Sequence, residues 1–126
     1  MTEYEMVSIS TCEDLKSRFA EYPELAILGT KYRIEQYNRE DNNDTALGLC
    51  DFWRKIIYID FDWYIEAEKN GAGSINRALK TLRHEIIHAF LYEMGNEEDA
   101  LNEGLADALS IQANQFVSIL SRFLDK

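Results

Sequence analysis

Apolar and polar positions divide the chain into a helical beginning, a strand-forming middle and a helical second half. Over residues 11–22 the apolar side chains recur at helical spacing, and Pro23 ends this pattern. Downstream the pattern changes to the alternation of a strand, first over residues 32–37. We therefore predict an N-terminal helical extension over residues 1–26 and a β-sheet region over residues 27–62.

Two of the predicted strands form a hairpin. Residues 47–52 and 55–61 are both rich in β-branched and aromatic side chains, and only Trp53 and Arg54 separate them. A connection this short joins antiparallel neighbours. The pattern therefore predicts a small, mostly antiparallel sheet.

The second half of the chain carries two amphipathic helical patterns. The first covers residues 74–95, and its apolar stripe, wide enough for a central helix, consists of Leu79, Leu82, Ile86 and Phe90. The second covers residues 97–124, and its stripe consists of Leu105, Leu109, Phe116 and Leu120. Together with the strands, the two helices predict an α+β fold.

Length and charge limit the organisation and the partners of the chain. A chain of 126 residues that is 46% hydrophobic can bury one core, and it is short for two domains. We therefore predict a single domain over residues 1–126. A formal charge of −10 argues against binding to nucleic acid or to an anionic membrane, because neither polyanion is attracted. The same charge favours a basic peptide as partner.

The cysteine content and the N-terminus bear on the compartment. Cys12 and Cys50 are too few for a disulfide framework, which favours a reducing compartment. The N-terminus shows no basic region followed by an apolar run. We therefore expect a cytoplasmic protein.

The predicted helix over residues 74–95 contains a short motif of potential metal ligands, His84-Glu85-Ile86-Ile87-His88. In a helix, His84 and His88 stand one turn apart on one face, so both imidazoles can reach a single cation. Glu85 lies at the flank of that face, where its carboxylate can deprotonate a water. The alternative is a neutral, hydrogen-bonded histidine pair. Burying two imidazoles and a carboxylate in an apolar helix favours the metal interpretation, since such groups need a partner.

A metal site of this kind needs a third ligand. Both histidines of the chain are already used, so the third ligand must be Asp, Glu or Cys. Glu103 and Asp107 stand one turn apart on one face of the downstream helix. In an acidic protein such a pair can also be a solvated helix face, and the spacing alone leaves both interpretations open.

The two motifs together resemble a known family. Asn102-Glu103 with Ala106-Asp107, following His84-Glu85-x-x-His88, is similar to the signature of the gluzincin zinc metallopeptidases. The short separation of the motifs resembles compact zincins of the ImmA/IrrE and phage-encoded type. The resemblance implies a zincin-like fold with Zn²⁺ held by His84, His88 and Glu103.

The resemblance also implies roles for the neighbouring residues. Asp107 would orient the imidazole of His84, and Glu85 would act as general base and then protonate the leaving amine of a peptide substrate. Residues 55–61 would form an edge strand that pairs with the substrate. Tyr92, one turn beyond His88, is a candidate catalytic donor to the oxyanion, although a core role is the common one at this spacing.

Four further alternatives are weighed at this point. Cys50 can be a buried structural residue, which we favour, or a thiolate that blocks the zinc. The protein can be a catalytically weak zinc-containing module that binds a peptide, phage-associated or otherwise, without cutting it. A structural zinc site is disfavoured, because such sites fill all four positions with protein ligands. Manganese or cobalt can replace zinc.

Overall fold

A computed structural model of the protein describes residues 9–41, 45–71 and 75–124, with side chains at all of these except residues 114, 116 and 120–124. The described residues form an α+β fold with a four-stranded sheet. The elements follow the order α1 (Cys12–Glu21), β1 (Glu24–Ile27), β2 (Thr30–Gln36), β3 (Gly48–Asp51), β4 (Ile56–Ile59), α2 (Phe61–Lys69), α3 (Ile75–Glu93), α4 (Glu97–Ala100) and α5 (Glu103–Leu124).

The N-terminal helix forms where the sequence predicts it. The Thr11 hydroxyl accepts a hydrogen bond from the Asp14 backbone amide at the start of α1. The Asp14 carboxylate accepts one from the Thr11 backbone amide, which completes a capping box. Leu15 and Cys12 bury the inner face of this helix. The predicted extension over residues 1–26 is only partly helical, since its last residues belong to β1 and residues 1–8 lie outside the described range.

The sheet is mixed, with the strand order β1-β2-β4-β3. β1 pairs with β2 and β3 pairs with β4 in antiparallel fashion, so the predicted hairpin is present, but β2 and β4 are parallel. The reason lies in the apolar content of β4, whose Ile57 and Ile59 are fully buried. A strand this apolar belongs in the middle of the sheet, where both of its edges are paired.

This strand order corrects one prediction. Residues 55–61 contain β4, which has a neighbour on each side and offers no free edge to a substrate. The outer strand on that side of the sheet is β3, which contacts α3. An extended peptide that adds to this side of the sheet therefore has to pair with β3.

Two short elements lie where the sequence analysis placed none. β1 joins β2 through Leu28 and Gly29, both with positive φ, which is the geometry of a tight hairpin turn. α2 begins inside the predicted sheet region of residues 27–62, where the Asp60 carboxylate accepts a bond from the Trp63 backbone amide.

α3 is the central helix, as its wide apolar stripe predicts. It contacts all of the other described helices and every strand of the sheet, and its buried residues include Ala78, Leu82 and Ala89. The predicted 97–124 helix is divided into α4 and α5, because the Asn102 side chain caps a new helix at Glu103. Among the described residues, no helix is long and apolar enough to cross a membrane.

The C-terminal end of α3 is tied to the sheet by one carboxylate. Glu93 accepts hydrogen bonds from Thr30, from the Tyr32 hydroxyl at 2.7 Å and from the Lys55 ammonium at 2.7 Å. The bond from Lys55, followed by the one from Tyr32, lowers the pKa of Glu93 below its ordinary value of 4.5. The ionised carboxylate therefore stabilises the fold above about pH 4.5 and loses this effect as the pH falls through its lowered pKa.

We expect Glu93→Gln to reduce the free energy of unfolding by about 1–2 kcal/mol at neutral pH, since charge-assisted bonds become neutral ones. The variant and the wild type should converge as the pH falls through the lowered pKa of Glu93. Urea unfolding at neutral and acidic pH measures both quantities, with Glu98→Gln on the exposed surface of α4 as control. A constant difference between variant and wild type at every pH would contradict the assignment.

Candidate metal centre

Three predicted ligands meet at one point between α3 and α5. The nearest carboxylate oxygen of Glu103 lies 2.6 Å from His84 Nε2 and 3.0 Å from His88 Nε2. The two Nε2 atoms are 3.0 Å apart. The ligand atoms of these three residues all lie within 4.8 Å of one another, so the cluster could hold a metal ion. The helical spacing and the downstream carboxylate thus come together as predicted.

The other ring nitrogen of each histidine is held by an acceptor. His84 Nδ1 lies 2.8 Å from a carboxylate oxygen of Asp107, and His88 Nδ1 contacts the backbone carbonyl of Ala100. A carbonyl and a carboxylate accept only, so both Nδ1 atoms donate. In the neutral histidines both Nε2 atoms therefore carry lone pairs. Asp107 lies where the resemblance implies, and the Ala100 contact was not predicted.

This hydrogen-bonding pattern requires a positive charge inside the cluster. Two Nε2 lone pairs and a carboxylate oxygen repel one another at 2.6–3.0 Å unless a proton or a cation lies between them. The electrostatics agree. Burial lowers the pKa of His84, but Glu103, Glu85 and Asp107 together raise it above its ordinary value. The residues present thus fit a bound cation.

Burial differs across the cluster. The side chain of His88 is 6% exposed, whereas that of Glu103 is 74% exposed. The histidines therefore form the floor of the site, and Glu103 forms its solvent side. A cleft of about 630 Å³ opens over this floor between β3, α3 and the start of α5, so the site is accessible to a molecule larger than an ion.

Glu85 lines the same cleft and is 7% exposed. Burial raises the pKa of its carboxyl to about 7, and the neighbouring Glu103 adds to this effect, while His84 and His88 oppose it. A group of this kind can take up and release a proton near neutral pH. Its position beside the ligands agrees with the predicted role of general base, which stays a prediction.

A glycine of β3 allows the sheet to approach this carboxylate. A Cβ atom at Gly48 would lie 2.8 Å from Thr81 Cγ2 and 3.0 Å from Glu85 Oε2. Both distances are shorter than ordinary contacts between these atoms, so only glycine fits without displacement. Gly48 was not among the predicted site residues, although a glycine within a strand pattern is a known sign of close backbone approach.

We expect Gly48→Ala to displace the Glu85 carboxylate or β3 and to reduce the peptide hydrolysis predicted for this cleft, measured as kcat/KM, by about 10–100-fold, because a shift of about 1 Å has effects of this size. Metal content should be unchanged, since the contacts lie on Glu85 rather than on the ligands. Gly104→Ala is the control: it also adds a methyl group beside the cluster, where the nearest atom is 3.5 Å away. Equal activity of the two variants would contradict the close-packing argument.

Cys50 and Tyr92 were further candidates. Cys50 is a half-buried free thiol that packs against the core, and burial raises its pKa, so it is protonated at neutral pH. Cys50 lines the cleft, but it does not belong to the described group of converging ligand atoms, which favours the structural interpretation over a zinc-blocking thiolate. The Tyr92 ring stacks on Phe52 at 4.4 Å and lies under the Lys55 ammonium, and Tyr92 is not among the described residues that line the cleft. Its role as oxyanion donor stays a prediction.

Other residues of the cleft wall were not identified from the sequence. Leu47, Leu49 and Leu101 add an apolar surface, while Arg77 and Lys80 add positive charge. Arg77 and Lys80 lie seven and four residues before His84, which places them on its face of the helix, and that spacing was the available signal. Comparison with protein-family models, with curated proteins and with solved structures found no match to this chain.

Proposed function

We propose that this protein is a zinc-dependent metallopeptidase that cleaves peptides bound in the cleft between β3 and α3. One observation carries the proposal: the ligand atoms of His84, His88 and Glu103 converge within 4.8 Å beside the buried carboxylate of Glu85, in an open cleft. A cluster built only for stability has no need of a cleft or of a second, non-ligating carboxylate.

The donor set supports zinc as the metal. Two imidazoles and one carboxylate are a common zinc ligand set in enzymes, and it leaves a coordination position for water or substrate. Zinc bound there would lower the pKa of a water and polarise a carbonyl oxygen. A structural site is disfavoured for the same reason, since only three protein ligands lie in the cluster of described residues.

The chain itself supplies the proton transfers and the orientation. Asp107 and the Ala100 carbonyl hold the two imidazoles so that both Nε2 atoms face the cluster. Glu85 takes the proton of the attacking water on a carboxylate oxygen and then delivers it to the amine that leaves. Gly48 keeps β3 against this carboxylate and so restricts its movement.

A peptide substrate has a natural binding edge in this cleft. Among the described residues, β3 is one of the two outer strands of the sheet, and it lines the cleft together with α3. An extended peptide can pair with such an edge through its backbone, with side chains in pockets on alternate sides. Leu47, Leu49 and Leu101 offer an apolar surface to side chains next to the cleaved bond.

One observation favours a second candidate function, a zinc-containing module that binds a peptide without cutting it. The Tyr92 ring, the predicted oxyanion donor, is engaged by Phe52 and Lys55 instead of lining the cleft. Retention of Glu85 beside the ligands is the counter-argument, because a module that only binds needs no general base.

The test combines metal content with a cleavage screen. Protein purified without chelator or affinity metal is analysed by elemental mass spectrometry and then incubated with a mixed peptide library that is read by mass spectrometry. The proposal expects close to one zinc per chain and cleavage that a chelator stops and added zinc restores. Zinc with bound but uncut peptide would support the second candidate, and protein that takes up no zinc would contradict both.

A further inference from the structure

The charged residues that line the cleft are separated into two groups. Three carboxylates, those of Glu85, Glu103 and Asp107, surround the histidine cluster, while two cations, Arg77 and Lys80, lie toward the beginning of α3. A divalent ion in the cluster would offset much of the negative charge of the three carboxylates. Arg77 and Lys80 are the Arg and Lys side chains among the described residues that line the cleft.

The spacing of these cations along α3 fixes their distance from the metal cluster. Arg77 and Lys80 precede His84 by seven and four residues, close to two turns and one turn of helix. At about 1.5 Å per residue, they lie about 10 Å and about 6 Å along the helix axis from His84. An extended peptide advances about 3.3 Å per residue, so these distances correspond to about three and about two residues of substrate.

The local structure supports a role beyond helix stability. Arg77 lies in the first turn of α3, where a cation opposes the helix dipole, so the dipole gives no reason for a cation at this position. The guanidinium of Arg77 packs over the ring of Trp63 at 5.6 Å, which restricts its movement at the rim of the cleft. A restricted guanidinium loses less entropy when it pairs with a carboxylate.

We propose that Arg77 and Lys80 form a cationic subsite that selects peptides with an acidic side chain two or three residues from the cleaved bond. This inference rests on the proposed function, because it names the substrate class of the same cleft. It opposes the expectation from the net charge of −10, which favours a basic peptide. At physiological salt, Arg77 and Lys80 outweigh the net charge of the chain for a substrate side chain beside them, because charges more than about 8 Å from that side chain are largely screened.

Binding to a non-cutting form of the protein tests the subsite. The zinc-loaded Glu85→Gln variant is titrated into fluorescein-labelled peptides with a leucine pair at the centre, and anisotropy is recorded. In the first set of peptides, Glu, Gln or Lys lies three residues before the bond that joins the two leucines. In the second set, the same residue lies three residues after this bond. In one of the two sets the Glu peptide should bind about tenfold tighter than the Lys peptide, as two exposed ion pairs allow.

Charge reversal provides the matched comparison. Arg77→Glu and Lys80→Glu, introduced together into the Glu85→Gln variant, should invert the preference for the Glu peptide, so that the Lys peptide binds tighter. Arg77→Gln with Lys80→Gln in the same variant should remove the preference without inverting it. Lys31→Glu changes the charge of the chain by the same amount per residue at an exposed position of β2 outside the cleft lining, and it should leave the preference intact. Circular dichroism and zinc content confirm that each variant is folded.

The outcomes separate the inference from the proposed function. Equal binding of the Glu, Gln and Lys peptides, tighter binding of the Lys peptide or no binding of any peptide would overturn the cationic subsite. Selective binding of the Glu peptide that the wild type then fails to cut would retain the subsite and contradict the peptidase activity. Selective binding with preferential cleavage of the Glu peptide supports both.

Discussion

On the proposed function, Glu85→Gln is expected to bind zinc as the wild type does and to reduce peptide hydrolysis about 10³-fold. The amide has the shape of the carboxylate but cannot accept the proton of the attacking water, and general base catalysis contributes about 10²–10⁴-fold. The ligand atoms of His84, His88 and Glu103 are unchanged, so zinc affinity should stay within a few-fold of the wild type.

The fold should tolerate this substitution. Glu85 is 7% exposed and lies close to Gly48, and an ionised group at such a position is costly unless it is paired. The amide occupies the same space without the charge, so the variant should resist urea at least as well as the wild type. A loss of activity with full stability and full zinc content is therefore a specific loss of chemistry.

Cleavage of the best library peptide, measured as kcat/KM by liquid chromatography, gives the main result. Glu98→Gln makes the same chemical change on the exposed surface of α4 and should leave kcat/KM unchanged. Wild-type activity in the Glu85→Gln protein would remove this residue as general base and would direct attention to another proton acceptor in the cleft.

Local geometry explains why part of the site could be predicted from sequence. The spacing of His84 and His88 follows from the helix period, and any amphipathic helix at this position brings their rings to one side. The predicted convergence with Glu103 is confirmed as a geometric cluster. It depends on where α5 begins, and Asn102 supplies that signal as an N-cap residue.

Long-range packing explains what could not be predicted. The hairpin of β3 and β4 follows from the short turn between them, but the choice of β4 as the inner strand depends on the burial of Ile57 and Ile59 against other elements. No local pattern contains that information. The predicted edge strand was wrong for this reason, and the edge offered by β3 became visible only with the strand order.

Two elements shorter than ten residues, β1 and α2, were also missed, because few positions define their period. β1 has four residues, and α2 begins with Phe61 and includes Trp63 and Tyr64, aromatic residues that are also frequent in strands. The contact of His88 with the Ala100 carbonyl was also not predicted, because it depends on a short element. It arises because the short helix α4 ends at Ala100, which the single predicted helix over residues 97–124 concealed.

Glu103→Ala is expected to weaken zinc retention by more than about 100-fold, a larger effect than the 10–100-fold typical of residues that only orient a ligand. Its carboxylate contacts both Nε2 atoms of the histidine pair, at 2.6 and 3.0 Å, and supplies the negative ligand of the cluster. The side chain is 74% exposed, so its removal leaves no cavity in the core and the fold should persist.

A graded series distinguishes a ligand from an orienting residue and from surface charge. Asp107→Ala frees the His84 ring and should lower zinc affinity by about 10–100-fold. Glu97→Ala removes an equal charge from the exposed start of α4 and should have almost no effect. Competition with a zinc-binding dye measures all three variants on one scale. If Glu103→Ala retained zinc as well as Glu97→Ala, the third ligand would have to come from elsewhere in the cleft.

The contacts require that the loss of zinc affinity is largest for Glu103→Ala, smaller for Asp107→Ala and smallest for Glu97→Ala. The reason is that, of these three residues, Glu103 contacts both Nε2 atoms, whereas Asp107 contacts only Nδ1 of His84.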